Sequence, residues 1–189
     1  MRSSHPGPIL LLVAAALLLG AGCAGTDSKA CAQETAPSSA DDTLSARAPL
    51  LAPDVDRMTE LFPDAGCSRE WAEPFPHLTV HRSDDLLLGY RVDSDPAGTT
   101  AEGFVGPVPL RVWFDTAGVV KGVDVLDNEE TPGYLDLVLA SDLMPRLLGY
   151  RAGSGDTVDA VTLATCTSGA IIRGVIATAD LLAGLRSGE

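Results

Sequence analysis

The eight residues Val108 to Asp115 (VPLRVWFD) alternate without a break, Val108, Leu110, Val112 and Phe114 facing one way and Pro109, Arg111, Trp113 and Asp115 the other. A period of two sustained over that length fits no helix and calls for a sheet with one face against a core. Thr116-Ala117-Gly118 then turns the chain into Val119 to Leu126, which predicts an antiparallel hairpin. His77 to His81 and Leu86 to Val92 read as a second strand pair across the polar turn Ser83-Asp84-Asp85. Two such pairs favour a mostly antiparallel sheet.

The flanks of this sheet read as helix. Asp54 to Phe62 spaces Val55, Met58 and Leu61 or Phe62 along one face, and Pro63 ends it. A loop containing Cys67, Pro74 and Pro76 is expected to follow. Near the end of the chain Ile172, Val175, Ile176, Ala179, Leu182 and Ala183 recur at helical spacing, while Arg173, Asp180 and Gly184 lie off that stripe. Gly174 costs about 1 kcal/mol in a helix relative to Ala, so it marks an expected close approach to a neighbour. Asp142 is placed to cap a short helix with Pro145 in its first turn. The fold class is therefore α+β, a mostly antiparallel sheet with packed helices.

All nine aromatic residues lie between Phe62 and Tyr150, so the core belongs to the last two-thirds of the chain. The expected organisation is a signal peptide over 1–22, a tether over 23–53 and one domain over 54–186. The tether has no aromatic residue and too little apolar area to offset the entropy of ordering it. Ahead of it, Ile9 to Leu19 (ILLLVAAALLL) is apolar throughout but shorter than the roughly 20 residues that span a bilayer. It runs into Leu19-Gly20-Ala21-Gly22-Cys23, which resembles a bacterial lipobox and implies lipidation of Cys23. An uncleaved anchor helix reaching to Thr26 and plain secretion are the alternatives, and all three deliver the domain outside the cytoplasm.

Twenty-six acidic and 13 basic residues leave a net charge of -13, and no run of Lys or Arg could neutralise a phosphate backbone. Nucleic acid is not an expected partner, and an acidic body reaches a membrane by its anchor rather than by a basic patch. The four cysteines form no C-x-x-C, which removes the usual support for an iron-sulfur cluster or a zinc ribbon. His77 and His81 fall on one side of a strand two pleats apart with no third ligand, so no metal site is expected. Gly153-Ser154-Gly155-Asp156 lacks both a dinucleotide fingerprint and a Walker lysine and reads as a connection.

Chemistry concentrates between Asp159 and Ser168 (DAVTLATCTS), a hydroxyl-rich stretch leading into the last helix. Unpaired N–H groups and the positive end of the dipole favour a phosphate there. The simpler alternative is that a Thr or Ser merely caps the helix.

The run DAVTLAT resembles the flavinylation motif of FMN-binding domains, such as the G subunit of Rnf electron-transport complexes and the C subunit of the sodium-pumping NADH:quinone oxidoreductase. Asp159, Thr162, Ala164 and Thr165 match that pattern, and Leu163 stands where Gly is usual. Upstream, Glu130-Thr131-Pro132-Gly133 resembles the family's ETPG segment bordering the flavin, with Tyr134 next to it. Pro132 and Gly133 suit the centre of a type II turn that would present Thr131 to a planar ring. GFVGPVPLRVWFDTAGVVKGVDV resembles the family's glycine-rich strand entry and hairpin. The likeness runs from near Asp54 to near Gly184.

The resemblance implies FMN as cofactor, joined through its phosphate to the Thr165 hydroxyl by a separate flavin transferase that takes it from FAD. It implies a cofactor site formed by Glu130, Thr131, Pro132, Gly133, Tyr134, Asp159, Thr162, Ala164, Thr167 and Ser168. The function implied is that of a membrane-anchored electron carrier, or a subunit of a redox complex, with protein or quinone partners left open. A rival reading is a degenerate domain of the same fold with a structural or ligand-binding role and no flavin, and Leu163 is the residue that supports it. Cys166 adjoins Thr165 and is expected to pair with Cys67 or Cys31, or to stay a small buried hydrophobe, without a catalytic role.

Overall fold

A computed structural model describes residues 54–154 and 157–188; the expectations for 1–22, for 23–53 and for Cys23 and Cys31 lie outside them. Helix α1 (Val55–Leu61) begins where the Asp54 carboxylate accepts from Arg57 N–H at 3.2 Å and stops at Phe62, ahead of Pro63. A strand β1 (Ala65–Trp71) follows where a loop was expected around Cys67. It is an edge strand in which only Cys67 is buried, so no apolar alternation announces it. Cys67 is disulfide-bonded.

Strands β2 (His77–Arg82) and β3 (Leu87–Asp93) form the expected antiparallel pair. The chain then leaves the sheet through a single helical turn α2 (Ser94–Ala97) and a two-stranded excursion, β4 (Ala101–Glu102) with β5 (Pro107–Val108). It returns as β6 (Leu110–Asp115) and β7 (Val120–Val125). The main sheet runs β1-β2-β3-β6-β7, antiparallel throughout. Thus the strand expected as continuous from Val108 is broken at Pro109, which has no N–H to give a ladder. Val108 pairs with Ala101 in the small sheet and Leu110 with Val125 in the large one.

Three helices complete the domain: α3 (Pro132–Leu139), α4 (Leu143–Leu147, following Asp142) and α5 (Thr165–Ser187). Pro132 and Gly133 do not sit at the centre of a type II turn. Thr131 is the N-cap and Pro132 opens α3, because a fixed φ and an absent N–H suit a first helical turn as well as a reverse turn.

The sheet is covered on both faces. Leu110, Val112 and Phe114 join Val175, Ala179 and Leu182 of α5 in the main core. Trp113, between them in sequence, points the other way into a smaller cluster with Val80, Met58 and Phe62 under α1. The α5 stripe is wider than its spacing implied, since Ala170 and Ile171 are also fully buried and α3 and α4 pack on the helix beside the sheet. Gly174 is the close approach expected, because a Cβ there would lie 2.8 Å from Leu110 Cδ1. Helix α5 is long and apolar enough to cross a membrane. Here that apolarity faces the core.

Candidate functional site

The site is built at the N-terminus of α5. Ala164 occupies the N-cap and no side chain caps the helix, so the simple reading of a capping Thr or Ser does not hold. Ser168, fully buried, instead donates to Ala164 O at 2.8 Å and accepts from Val161 N–H at 2.9 Å, tying the preceding turn to the helix. The uncapped N–H groups of the first turn are the kind that satisfy an anion. Thr165, the first helical residue, is exposed, and its hydroxyl holds only a long contact of 3.4 Å to Val161 O. Just before it Leu163 adopts a φ of +72° with its side chain 79% exposed. This is the position where the resembling motif carries Gly, and the backbone there is one that L side chains disfavour by roughly 1–2 kcal/mol.

Glu130 is the residue around which the site is assembled. Its carboxylate, 5% exposed, accepts through Oε1 from the N–H groups of Phe104 at 2.8 Å and Val105 at 2.7 Å, with Gly106 at 3.4 Å. Through Oε2 it accepts from the buried Thr167 hydroxyl. One side chain thereby joins the β4–β5 loop, the entry to α3 and the first turn of α5. Gly103 allows the loop to come this close, since a Cβ there would lie 2.7 Å from Glu130 Oε1. Burial alone would raise the Glu130 pKa, but the hydrogen bonds from Thr167 and from the N–H groups of Val105, Gly106 and Phe104 outweigh it. They hold the carboxyl below its ordinary range, so it stays ionised.

In front of this support lies a cleft of about 220 Å³ lined by Phe104, Tyr134, Leu163, Ala164, Thr165, Cys166 and Thr167. The Phe104 and Tyr134 rings meet edge to face, 5.9 Å apart at 71°. Of the residues expected at the site, Tyr134, Ala164, Thr165 and Thr167 line the cleft, and Glu130 and Ser168 brace it from behind. Thr131, Pro132, Gly133, Asp159 and Thr162 are exposed nearby in sequence and are not part of its wall. Phe104 was not among the expected residues. Its signal is an aromatic residue inside GFVG, a loop too short to bury it. Cys166 is neither bridged nor buried, contrary to expectation, but free and exposed beside Thr165.

The paired histidines serve the sheet. His77 Nδ1 donates to Phe75 O at 2.8 Å and His81 Nδ1 to Asp85 O at 3.1 Å. Among the described residues no group of three or more His, Cys, Asp or Glu side chains is arranged to hold a metal ion.

An uncapped helix start, an exposed hydroxyl and aromatic walls define a site for a ligand with a flat ring and an anionic end. The fit to FMN is good in kind: N–H donors and the Thr165 hydroxyl for its phosphate, Phe104, Tyr134 and Leu163 for its ring. The cleft is smaller than the roughly 300–1,000 Å³ that encloses a ligand of this size, so part of FMN would remain at the surface. Residues 103–180 match the family model of the FMN-binding domain, a stretch that contains every residue lining the cleft, and the match implies FMN as the cofactor. No curated protein matches the chain.

Proposed function

We propose that this protein is a membrane-anchored, extracytoplasmic electron carrier whose FMN is esterified through its phosphate to Thr165 Oγ1. The observation that carries the reading is the exposed Thr165 hydroxyl at the uncapped start of α5, inside the aromatic cleft. A flavin transferase would form the Thr165 Oγ–phosphorus bond as the pyrophosphate of FAD breaks, and AMP would leave with the hydroxyl proton. The bound flavin supplies one- and two-electron chemistry, and the protein supplies position and electrostatics. Covalent attachment suits an exported carrier, because a tethered cofactor cannot be diluted away. The N–H groups at the start of α5 would hold the phosphate and Phe104 and Tyr134 would flank the ring, while the Glu130 carboxylate is engaged by Phe104 N–H, Val105 N–H and the Thr167 hydroxyl.

Export is supported by the apolar segment ending at Cys23 and, independently, by the disulfide at Cys67, which belongs to an oxidising compartment. The kinship proposed is to the Rnf G and sodium-pumping oxidoreductase C subunits, acting either alone or within a larger complex.

The test is the intact mass of the protein exported from cells that contain a flavin transferase. The expected result is a gain equal to FMN less one water, mapped to the Thr165 peptide and absent in a folded Thr165→Ala protein. An unmodified mass with no bound flavin would sink the assignment and leave the flavin-free reading supported by Leu163.

A further inference from the structure

Among the described residues only Asp85 and Leu163 carry a positive φ without being glycine. An aspartate tolerates that region because its short polar side chain bonds locally, whereas a leucine gains nothing there from its own backbone. Leu163 is the third residue of a tight turn closed by Ala164 N–H donating to Val161 O at 3.2 Å, a position where a positive φ ordinarily selects Gly or Asn. The turn is not free to relax. Val161 N–H donates to the buried Ser168 hydroxyl at 2.9 Å, and Val161 O also takes the long contact from Thr165. The first turn of α5 thereby fixes the backbone on which Leu163 stands.

The side chain set in this strained place is also the most exposed of the large hydrophobic residues in the described part of the chain. It belongs to neither apolar cluster, so packing within the domain does not offset the backbone cost. A lone exposed leucine needs no explanation. This one, however, lines the cleft together with Phe104 and Tyr134, both exposed as well, while the other lining residues, Ala164, Thr165, Cys166 and Thr167, are small. Three large apolar side chains share one concave surface, and one of them stands there against the preference of its backbone. Apolar walls with a few placed polar groups are what a flat ring requires, and the small cleft leaves part of such a ring uncovered.

We propose that Leu163 is a specificity-determining residue of the cofactor site, an aliphatic wall that packs on the isoalloxazine ring and keeps water from it. The inference rests on the reading of this cleft as a flavin site and adds what the leucine does there. In the flavin-free protein the residue only destabilises its turn. In the loaded protein its exposed surface leaves water against the ring, a gain that exists only while the ring is present. Leu163 therefore weakens the empty domain and strengthens the loaded one, two effects of opposite sign that a merely structural residue does not combine.

The probe is FMN itself, titrated against the full chain made in cells without a flavin transferase and kept in detergent micelles. Leu163→Gly is expected to raise the urea midpoint of the flavin-free protein and to weaken FMN binding at least about fivefold, as the loss of part of a leucine's burial implies. Leu163→Asn, which also tolerates the left-handed backbone, is expected to weaken binding as much. Leu163→Met, apolar and of similar volume, is expected to stay closer to native than either. In chains carrying the flavin, iodide is expected to quench its fluorescence more strongly in Leu163→Gly than in the native protein. Native FMN affinity together with native quenching in Leu163→Gly, or tighter binding by that variant, would overturn the inference and leave the flavin site standing. A native chain that neither binds FMN nor carries it after export from cells with the transferase would defeat the carrier reading, and the inference with it.

Discussion

The φ of +72° at Leu163 puts a branched side chain in the left-handed region while leaving it 79% exposed, so little packing compensates the strain. Leu163→Gly removes the Cβ clash, and even after the extra entropy that Gly loses on folding the domain is expected to gain about 1 kcal/mol. A urea titration checks it, and an unchanged or lowered midpoint would show that the turn is held by its neighbours at no cost. Glu130 makes the opposite kind of contribution. Its carboxyl is held below its unfolded value, so its stabilisation is complete above about pH 4.3 and is lost as pH falls through the lower folded value. Between about pH 6 and about pH 3 the native protein is therefore expected to lose more stability than Glu130→Gln, whose amide does not titrate. Parallel curves would mean that Glu130 does not act as an ionised acceptor.

At the scale of elements, the hairpin β6–β7 and helix α5 were legible because each has a repeating apolar face, and a period is a local property. Strand β1 was not, because an edge strand with one buried residue is fixed by its neighbour β2 and by the Cys67 disulfide rather than by its own pattern. Helix α3 was read as a turn because Pro-Gly serves both structures, and only the contacts after Leu135 decide between them. The Glu130 assembly was hidden for a further reason. Its partners lie 24 to 37 residues away in sequence, and the motif containing Glu130 does not reveal that its carboxylate faces the protein rather than the cofactor. The sheet's own tolerance is set at Gly89 of β3, where a Cβ would sit 2.2 Å from Phe114 O and 2.7 Å from the Phe62 ring. Gly89→Ala must separate β3 from β6 or displace α1, and is expected to cost about 1–3 kcal/mol as overpacking. A urea midpoint within about 0.5 kcal/mol of native would show that the two strands can part freely.

For the molecule as a whole, the sheet separates stability from chemistry. Its outer face carries α1 and a compact cluster of Met58, Phe62, Val80 and Trp113, bordered by Arg111 bridging Asp93 and Asp54 at 3.0 and 2.9 Å. Its inner face carries α5, whose first turn is the site. Nothing in the outer cluster touches the cleft, so changes on the two faces are expected to be independent. Phe62 is 6% exposed, and Phe62→Ala leaves a cavity between α1 and the sheet worth about 3–5 kcal/mol. The folded fraction should nevertheless carry its flavin in native proportion, as read by in-gel fluorescence after separation of folded from aggregated protein. If the flavin is attached as proposed, Thr165→Ala should do the reverse, keeping the urea midpoint and losing the flavin that survives denaturation. If Phe62→Ala lost flavin from protein that was still folded, the two faces would be coupled through the strands between them. The site would then draw its rigidity from α1 as well as from Glu130.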